Sequence, residues 1–210
     1  MRLVLASASP ARLATLRRAG IEPEVIVSGV DETGIDAPTV PGLVGALARL
    51  KADAVHERLA AQRGPGDDEP LLIIGCDSLL EFDGESHGKP GDPAAVIERW
   101  RRLRGNSGTL HTGHALTLDD PSGRFGPPGV RRRDAVASTI VHFADADDAE
   151  IAAYAATGEP EAVAGAFTLD GLGGPLISGI EGDPHAVVGI GLPLLRTELA
   201  ALGVAWPAFS

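Results

Sequence analysis

Cysteine is nearly absent from this 210-residue chain, which contains Cys76 alone. A single thiol excludes an internal disulfide and disfavours any metal site built from cysteine ligands. It also fits a reducing compartment, so we expect a cytoplasmic protein. Because Cys76 follows a run of aliphatic residues, a small buried hydrophobic side chain is favoured there over a reactive nucleophile.

Positive charge is scarce too, since 18 Lys and Arg residues face 29 Asp and Glu residues and the net charge is −11. Nucleic acids and anionic membranes are bound by surplus Lys and Arg, so we expect neither as a partner. A small anionic ligand held by a few local cations is compatible with this balance.

Long apolar runs are also missing. Residues 3–6 are too short for the apolar region of a secretion signal, and no stretch approaches the roughly 20 apolar residues of a membrane-spanning helix. The chain has 44% hydrophobic and 22% charged residues, which is ordinary for a globular protein. Its length allows one sizeable core and is as compatible with two domains as with one domain of two lobes; of these we predict the single domain with two lobes over residues 1–210.

The aliphatic stretch at residues 71–74 predicts the central element of the fold. Continuous apolar character indicates a strand buried on both faces, because a half-exposed strand would alternate apolar with polar residues. Asp77 then lies at the carboxyl end of a buried strand, where open α/β sheets place ligands and chemistry. The alternative is that Asp77 caps the next turn.

A second candidate site is the polar turn before the first predicted helix. Ser9 is suited to capping that helix and Pro10 to its first position. Backbone N–H groups at a helix start accept phosphate readily, and the cation of Arg12 in the first turn favours a nearby anion. Plain capping by Ser9 with a solvated Arg12 is the alternative.

The remaining elements are predicted from hydrophobic periodicity and turn residues. Lys51, on the second helix, either follows the surface with its aliphatic stem or binds a ligand. His111 and His114 are not a metal pair, because this spacing on a strand puts them on opposite faces. Strands are predicted at 2–6, 24–28, 109–118 and 134–143, with a hairpin at Asp83-Gly84. Helices are predicted at 10–19, at 93–103, at 193–202, from about residue 41 onward, and from Asp145 or Asp147 to Gly158. Residues 158–191 are predicted to form close-packed short strands and turns.

Several short motifs in a fixed order resemble the Maf family of nucleoside triphosphate pyrophosphatases over most of the chain. They are Ser7-Ala8-Ser9-Pro10-Ala11-Arg12, Asp31-Glu32, Lys51-Ala52, Gly75-Cys76-Asp77-Ser78, Gly88-Lys89-Pro90, Gly158-Glu159-Pro160, Ala164-Gly165-Ala166 and Gly182-Asp183-Pro184. The resemblance implies an α/β fold similar to the inosine-triphosphate pyrophosphatases, with an elongated mixed sheet flanked by helices and a cleft between two lobes.

The resemblance also implies an activity. Members cleave a nucleoside triphosphate between the α and β phosphates with a divalent cation, Mg²⁺ or Mn²⁺, in a housecleaning role. Glu32 and Asp77 would serve the metal and the attacking water, with Asp77 as the proton acceptor. The phosphate chain would contact four side chains: Ser9, Arg12, Lys51 and Lys89. These residue types suit the chemistry, because Mg²⁺ is held by one or two carboxylates plus phosphates and cations offset the phosphate charge.

Two departures from the family pattern bear on substrate choice. Ala11 stands where the family usually has an arginine, and Asp170 stands where relatives acting on uridine or thymidine nucleotides commonly carry an amide. An ionised Asp170 accepts hydrogen bonds and cannot donate them, so it would contact the base differently. The alternative for this residue is a structural Asp-Gly turn formed with Gly171. The alternatives are a methylated-guanosine triphosphate pyrophosphatase and a non-catalytic nucleotide-binding regulator of septum formation. A homodimer is compatible with the sequence, which does not fix the oligomeric state.

Overall fold

The structure is a computed structural model that describes residues 1–206. Seven strands form one sheet in the order β2-β1-β3-β5-β6-β7, with β4 paired to β3. The strands are β1 (Arg2–Ala6), β2 (Glu24–Val25), β3 (Leu71–Phe82), β4 (Glu85–His87), β5 (Ser107–Asp120), β6 (Gly129–Phe143) and β7 (Ile177–Glu181). The helices are α1 (Pro10–Arg18), α2 (Val40–Ala60), α3 (Pro93–Leu103), α4 (Asp148–Ala155), α5 (Pro184–Val188) and α6 (Leu192–Ala201).

The sheet is mixed, which confirms the predicted α/β class with a mixed sheet flanked by helices. Strand β1 pairs in parallel with β2 and β3, whereas β3 with β4 and β6 with β7 are antiparallel. No helix within residues 1–206 has both the length and the hydropathy needed to cross a membrane.

The chain divides into two compact units. The first contains Met1–Asp77, Thr112–Ala137 and the described residues from Gly189 onward, and the second contains Ser78–His111 and Ser138–Val188. Strands β3, β5 and β6 contribute residues to both units. The predicted arrangement of a single domain with two lobes and a cleft stays a prediction.

In the first unit, β3 is buried on both faces, as its apolar run predicts. Leu72, Ile74 and Cys76 belong to one hydrophobic cluster, which includes residues of α1 and α6. Leu71 and Ile73 belong to another, which includes residues of α2. Burial on two sides makes this strand the rigid support from which Asp77 projects.

A glycine in β3 lets α2 lie unusually close to the strand. A Cβ on Gly75 would stand 2.3 Å from the carbonyl oxygen of Ala48 and 2.9 Å from the backbone nitrogen of Ala52. Only a residue without a side chain permits this approach. Lys51 precedes Ala52 and Asp77 follows Gly75 by two residues, so the contact brings their segments together.

The prediction that β3 ends at Asp77 is wrong, because the strand continues to Phe82. Its parallel pairing with β1 stops at Ala6 and Gly75, but beyond Asp77 it pairs with β4 through Leu80 to Phe82. The intervening turn has φ 52° at Asp83 and 75° at Gly84, as expected for a two-residue hairpin, which is confirmed. Asp77 therefore lies two residues beyond the last parallel pair between β3 and β1.

The second unit has an aromatic core. Trp100 makes edge-on contacts with Phe143 and Tyr154, and Phe143 makes another with Phe167. The Trp100 indole donates to the carbonyl oxygen of Ala166 at 2.7 Å, which satisfies its buried N–H group.

Besides β3, two of the predicted elements differ from the structure. The strand predicted over 24–28 is reduced to Glu24–Val25. Residues 158–191, predicted as short strands and turns, contain one strand, the helix α5 and three 3-10 turns (Glu159–Ala162, Ala164–Ala166 and Gly174–Leu176). Positive φ at Gly158, Gly165 and Ala166 turns the chain too sharply for extended pairing.

Candidate active site

The first part of the site is the turn between β1 and α1. Ser9 is the N-cap of α1, and its hydroxyl accepts a hydrogen bond from the backbone N–H of Arg12 at 3.4 Å. Ser9 itself donates its N–H to the Ser7 hydroxyl at 3.2 Å. The predicted cap is confirmed, and the turn carries two hydroxyls at the positive end of a helix.

Arg12 joins three segments of the first unit. Its Nε donates to the carbonyl oxygen of Gly189 at 2.8 Å, and its Nη1 donates to the Ser7 hydroxyl at 3.0 Å and to the carbonyl oxygen of Cys76 at 2.9 Å. A solvated Arg12 is therefore not what the structure shows. The guanidinium is fixed next to the strand that carries Asp77.

Lys51 brings together the two carboxylates that the sequence singles out. Its Nζ lies 2.5 Å from Asp77 Oδ1 and 2.9 Å from Glu32 Oε1. The Lys51 and Asp77 side chains are 12% and 13% exposed, so this pair is largely withdrawn from water. Lys51 does not extend along the surface, and Asp77 is more than a turn cap.

The donor set around Lys51 fits a hard divalent cation. Glu32 and Asp77 both direct a carboxylate oxygen to one positively charged centre, here the ammonium of Lys51. Across residues 1–206 no group of three or more His, Cys, Asp or Glu could hold a metal. Two carboxylates completed by substrate phosphates and water suit Mg²⁺ or Mn²⁺ and would not suit a metal needing a full protein cage.

Cys76 is a buried side chain of the core. Its side chain is fully buried, and that burial raises the pKa of the thiol to about 11. A thiol that stays protonated at neutral pH is a poor nucleophile and a poor metal ligand. The prediction of a small buried hydrophobic side chain is confirmed.

Lys89 and Asp170 lie in the second unit, each in a loop of its own. Lys89 is exposed in the link between β4 and α3. Its neighbour Gly88 is held by Arg99, whose Nη1 donates to the Gly88 carbonyl at 2.6 Å. Asp170 is exposed in the loop at residues 168–173. Their predicted contacts with phosphate and base stay predictions.

Sequence reasoning missed the role of Glu159, which anchors the loop carrying Asp170. Its carboxylate accepts from the Thr168 hydroxyl at 2.5 Å and from the backbone N–H groups of Leu172 and Gly173 at 3.0 and 3.1 Å. Burial opposes ionisation, but these hydrogen bonds outweigh it and hold the pKa of Glu159 below its usual value. The Gly158-Glu159-Pro160 motif was visible in the sequence, but nothing there showed which groups the acid binds.

The chain is similar to known proteins over nearly its whole length. The model of the family described as Maf-like protein matches residues 2–202. The chain is 58% identical over 204 residues to a protein of Salinispora tropica named nucleoside triphosphate pyrophosphatase, covering 97% of this chain and 85% of that protein. Proteins of the same name from Streptomyces coelicolor and Cutibacterium acnes are 51% and 47% identical, over 96% and 97% of this chain and 91% and 92% of theirs.

A solved structure, that of the Staphylococcus aureus Ham1 protein, is a distant match. Its TM-score is 0.39 at 17% identity, and the match covers 69% of this chain and 73% of that one.

Proposed function

The chain belongs to the Maf family, and we propose that it is a nucleoside triphosphate pyrophosphatase cleaving the α–β phosphate bond to give a monophosphate and pyrophosphate. Relatives at 47–58% identity carry that enzyme name over nearly the whole chain, which confirms the predicted class of enzyme. The proposal also covers the site residues, the metal and the base preference.

One observation carries the proposal most strongly. Glu32, Lys51 and Asp77 come from a loop, a helix and a strand that are far apart in sequence, yet their charged groups meet within hydrogen-bonding distance. A protein that only binds nucleotides needs cations for the phosphates and does not need two acids converging on one point. This supports hydrolysis over the non-catalytic alternative.

Asp77 is the proposed proton acceptor. A water molecule attacks a phosphorus atom of the α–β bridge. Its oxygen forms a new P–O bond as the bond from that phosphorus to the bridging oxygen breaks, and one proton of the water passes to a carboxylate oxygen of Asp77. The bond from Lys51 to Oδ1 fixes the orientation of that carboxylate. The β and γ phosphates leave together as pyrophosphate.

Glu32 and Asp77 are the residues that would hold a divalent cation. When bound, Mg²⁺ or Mn²⁺ neutralises phosphate charge and lowers the pKa of a coordinated water. The ammonium of Lys51, at the end of a flexible side chain, would then contact the phosphate chain.

Ser9 and Arg12 provide the proposed phosphate contacts at the start of α1. Helix N-termini accept phosphate through backbone N–H groups and the helix dipole. Because Gly189, Ser7 and Cys76 engage Nε and Nη1, the plane of the Arg12 guanidinium is set before substrate arrives. Such preorganisation reduces the ordering cost of binding.

Lys89 and Asp170 are the two remaining residues that the family resemblance assigns to the substrate. Lys89 is assigned to the phosphate chain, and Asp170 is assigned to the base, where its carboxylate would accept a hydrogen bond donated by an N–H group. The loop anchor at Glu159 gives Asp170 a defined backbone, which base discrimination requires.

Product analysis tests the proposal. Purified protein is incubated with a panel of standard and modified nucleoside triphosphates and with Mg²⁺ or Mn²⁺, and the products are separated by anion exchange. We expect monophosphate and pyrophosphate in equal amounts. Diphosphate plus phosphate, or no turnover on the whole panel, would refute the assignment.

A further inference from the structure

His114 is a buried polar residue that the proposed chemistry does not use. It lies on β5 with no exposed surface, and residues two and four further along the strand, Leu116 and Leu118, belong to the apolar core of the first unit. Alternation along a strand puts all three on one face. A leucine would pack at such a position, and burying an imidazole there costs free energy unless its nitrogens are hydrogen-bonded.

Both imidazole nitrogens of His114 have partners. Its Nε2 accepts the backbone N–H of Gly191 at 2.8 Å, and its Nδ1 lies 3.1 Å from the carbonyl oxygen of Thr112. Because a backbone N–H group can only donate, Nε2 must carry the lone pair. The proton is then on Nδ1, which donates to Thr112. His114 is neutral and acts as an acceptor for Gly191.

Gly191 belongs to the segment that also holds Arg12. Two residues earlier, the Gly189 carbonyl accepts from Arg12 Nε at 2.8 Å. Gly189 has φ +120°, and a Cβ there would stand 3.1 Å from that same nitrogen, so its backbone is pressed against the arginine. Ile190, between the two glycines, is fully buried in the same core.

The His114 side chain is the hydrogen-bond partner of the residue that caps α6. Gly191 is the N-cap of α6 and makes no side-chain capping bond, although its carbonyl accepts from the N–H of Leu195 at 2.9 Å. A helix start needs partners for its first N–H groups, and His114 supplies one to the cap residue. The imidazole thereby fixes where residues 189–191 lie.

We propose that His114 is a positioning residue for triphosphate binding: by holding Gly191 it places the Gly189 carbonyl that orients the Arg12 guanidinium. The inference rests on the proposed function, because it assumes that Arg12 serves the phosphate chain. His114 contacts no substrate and acts through residues 189–191. Its removal should therefore lower affinity for the triphosphate by way of Arg12.

A double-mutant cycle tests this. His114→Leu removes the acceptor and retains bulk, whereas His114→Gln keeps an amide oxygen that can reach the Gly191 N–H group. Each is combined with Arg12→Ala. Calorimetric titration gives the Kd for a non-hydrolysable nucleoside triphosphate and for the matching monophosphate, and thermal unfolding confirms that each variant folds. If His114→Leu does not fold, His114→Asn, which is too short to reach Gly191, takes its place.

We expect His114→Leu to weaken triphosphate binding about tenfold, the scale of one lost hydrogen bond, with a smaller loss for the monophosphate. The triphosphate Kd of His114→Gln should stay within about threefold of that of the unmodified protein. In the Arg12→Ala background, His114→Leu should raise the triphosphate Kd by less than about twofold. Equal losses in both backgrounds, or a Gln variant as weak as the Leu variant, would overturn the inference. Failure of the unmodified protein to release pyrophosphate would instead refute the proposed function.

Discussion

At the scale of single residues, Lys51 occupies the point at which the two proposed metal-binding carboxylates converge. Its ammonium contacts Glu32 and Asp77, so a divalent cation entering the same place meets a positive charge already there. The pairing means that Lys51 holds the two acids in place before metal and substrate bind. It also predicts competition between Lys51 and the metal.

Lys51→Met should strengthen Mn²⁺ binding in the absence of nucleotide by about tenfold, because it removes a like charge within a few ångströms. The same substitution should weaken triphosphate binding. Calorimetry of Mn²⁺ alone makes the measurement, and Lys89→Met is the matched control, since Lys89 is the only other lysine. Unchanged or weaker Mn²⁺ binding by Lys51→Met would contradict the assigned metal position.

Asp170→Gln should change the ranking of substrates, beyond any uniform loss of rate. An ionised carboxylate only accepts hydrogen bonds, whereas an amide both accepts and donates, so the preferred base edge differs. The ratio of kcat/KM for a pyrimidine and a purine triphosphate is compared in both proteins. An unchanged ratio would assign Asp170 to the turn alone.

At the scale of elements, the close packing of α2 on β3 creates the site. A methyl group on Gly75 would overlap the Ala48 carbonyl oxygen, so α2 would have to move away from the strand that carries Asp77. The contact between Lys51 and Asp77 depends on that distance. The stability of this region and the activity are therefore coupled.

Gly75→Ala should lower the free energy of unfolding by about 1–3 kcal/mol, as overpacking does, and should also reduce turnover. Urea unfolding and kcat are measured on the same preparation. Gly64→Ala is the control, because no atom lies within 4 Å of a Cβ there. A Gly75→Ala protein with normal stability and turnover would show that the close approach is dispensable.

The loop anchored by Glu159 predicts a pH dependence. Because the folded-state pKa of Glu159 is depressed, its contribution to stability is present above the unfolded-state pKa and is lost as pH falls through the folded-state value. Glu159→Gln should cost about 1–3 kcal/mol of unfolding free energy at neutral pH and less in acid. Unfolding curves from pH 7 downward test this, and an equal cost at every pH would contradict it.

Local signals predicted the elements well. Thr39, Asp92 and Asp147 each cap a helix in the structure, and each is of a residue type that is favoured at this position. Each cap depends on residues within one helical turn, so the sequence contains the needed information. The Lys51–Asp77 contact spans 26 residues and the bond from Arg12 to Gly189 spans 177, and neither can be predicted from local pattern.

At the scale of the whole molecule, the chain is acidic but has two cationic side chains beside the strand that carries Asp77. The net charge is −11, yet Arg12 and Lys51 both lie in the first unit beside β3. A few fixed cations in an acidic protein favour a small polyphosphate chelated with a metal over nucleic acid. The family match over residues 2–202 and relatives named nucleoside triphosphate pyrophosphatase are consistent with a nucleotide substrate.

The central claim is that Asp77 accepts the proton in pyrophosphate release, and Asp77→Asn tests it most directly. The amide keeps the shape and removes the charge, so we predict that kcat for pyrophosphate release falls by about 100-fold or more in a protein that still folds. Asp68→Asn, an exposed acid in a loop of the same unit, is the control and should remain fully active. An Asp77→Asn protein that releases pyrophosphate at a near-normal rate would contradict the account.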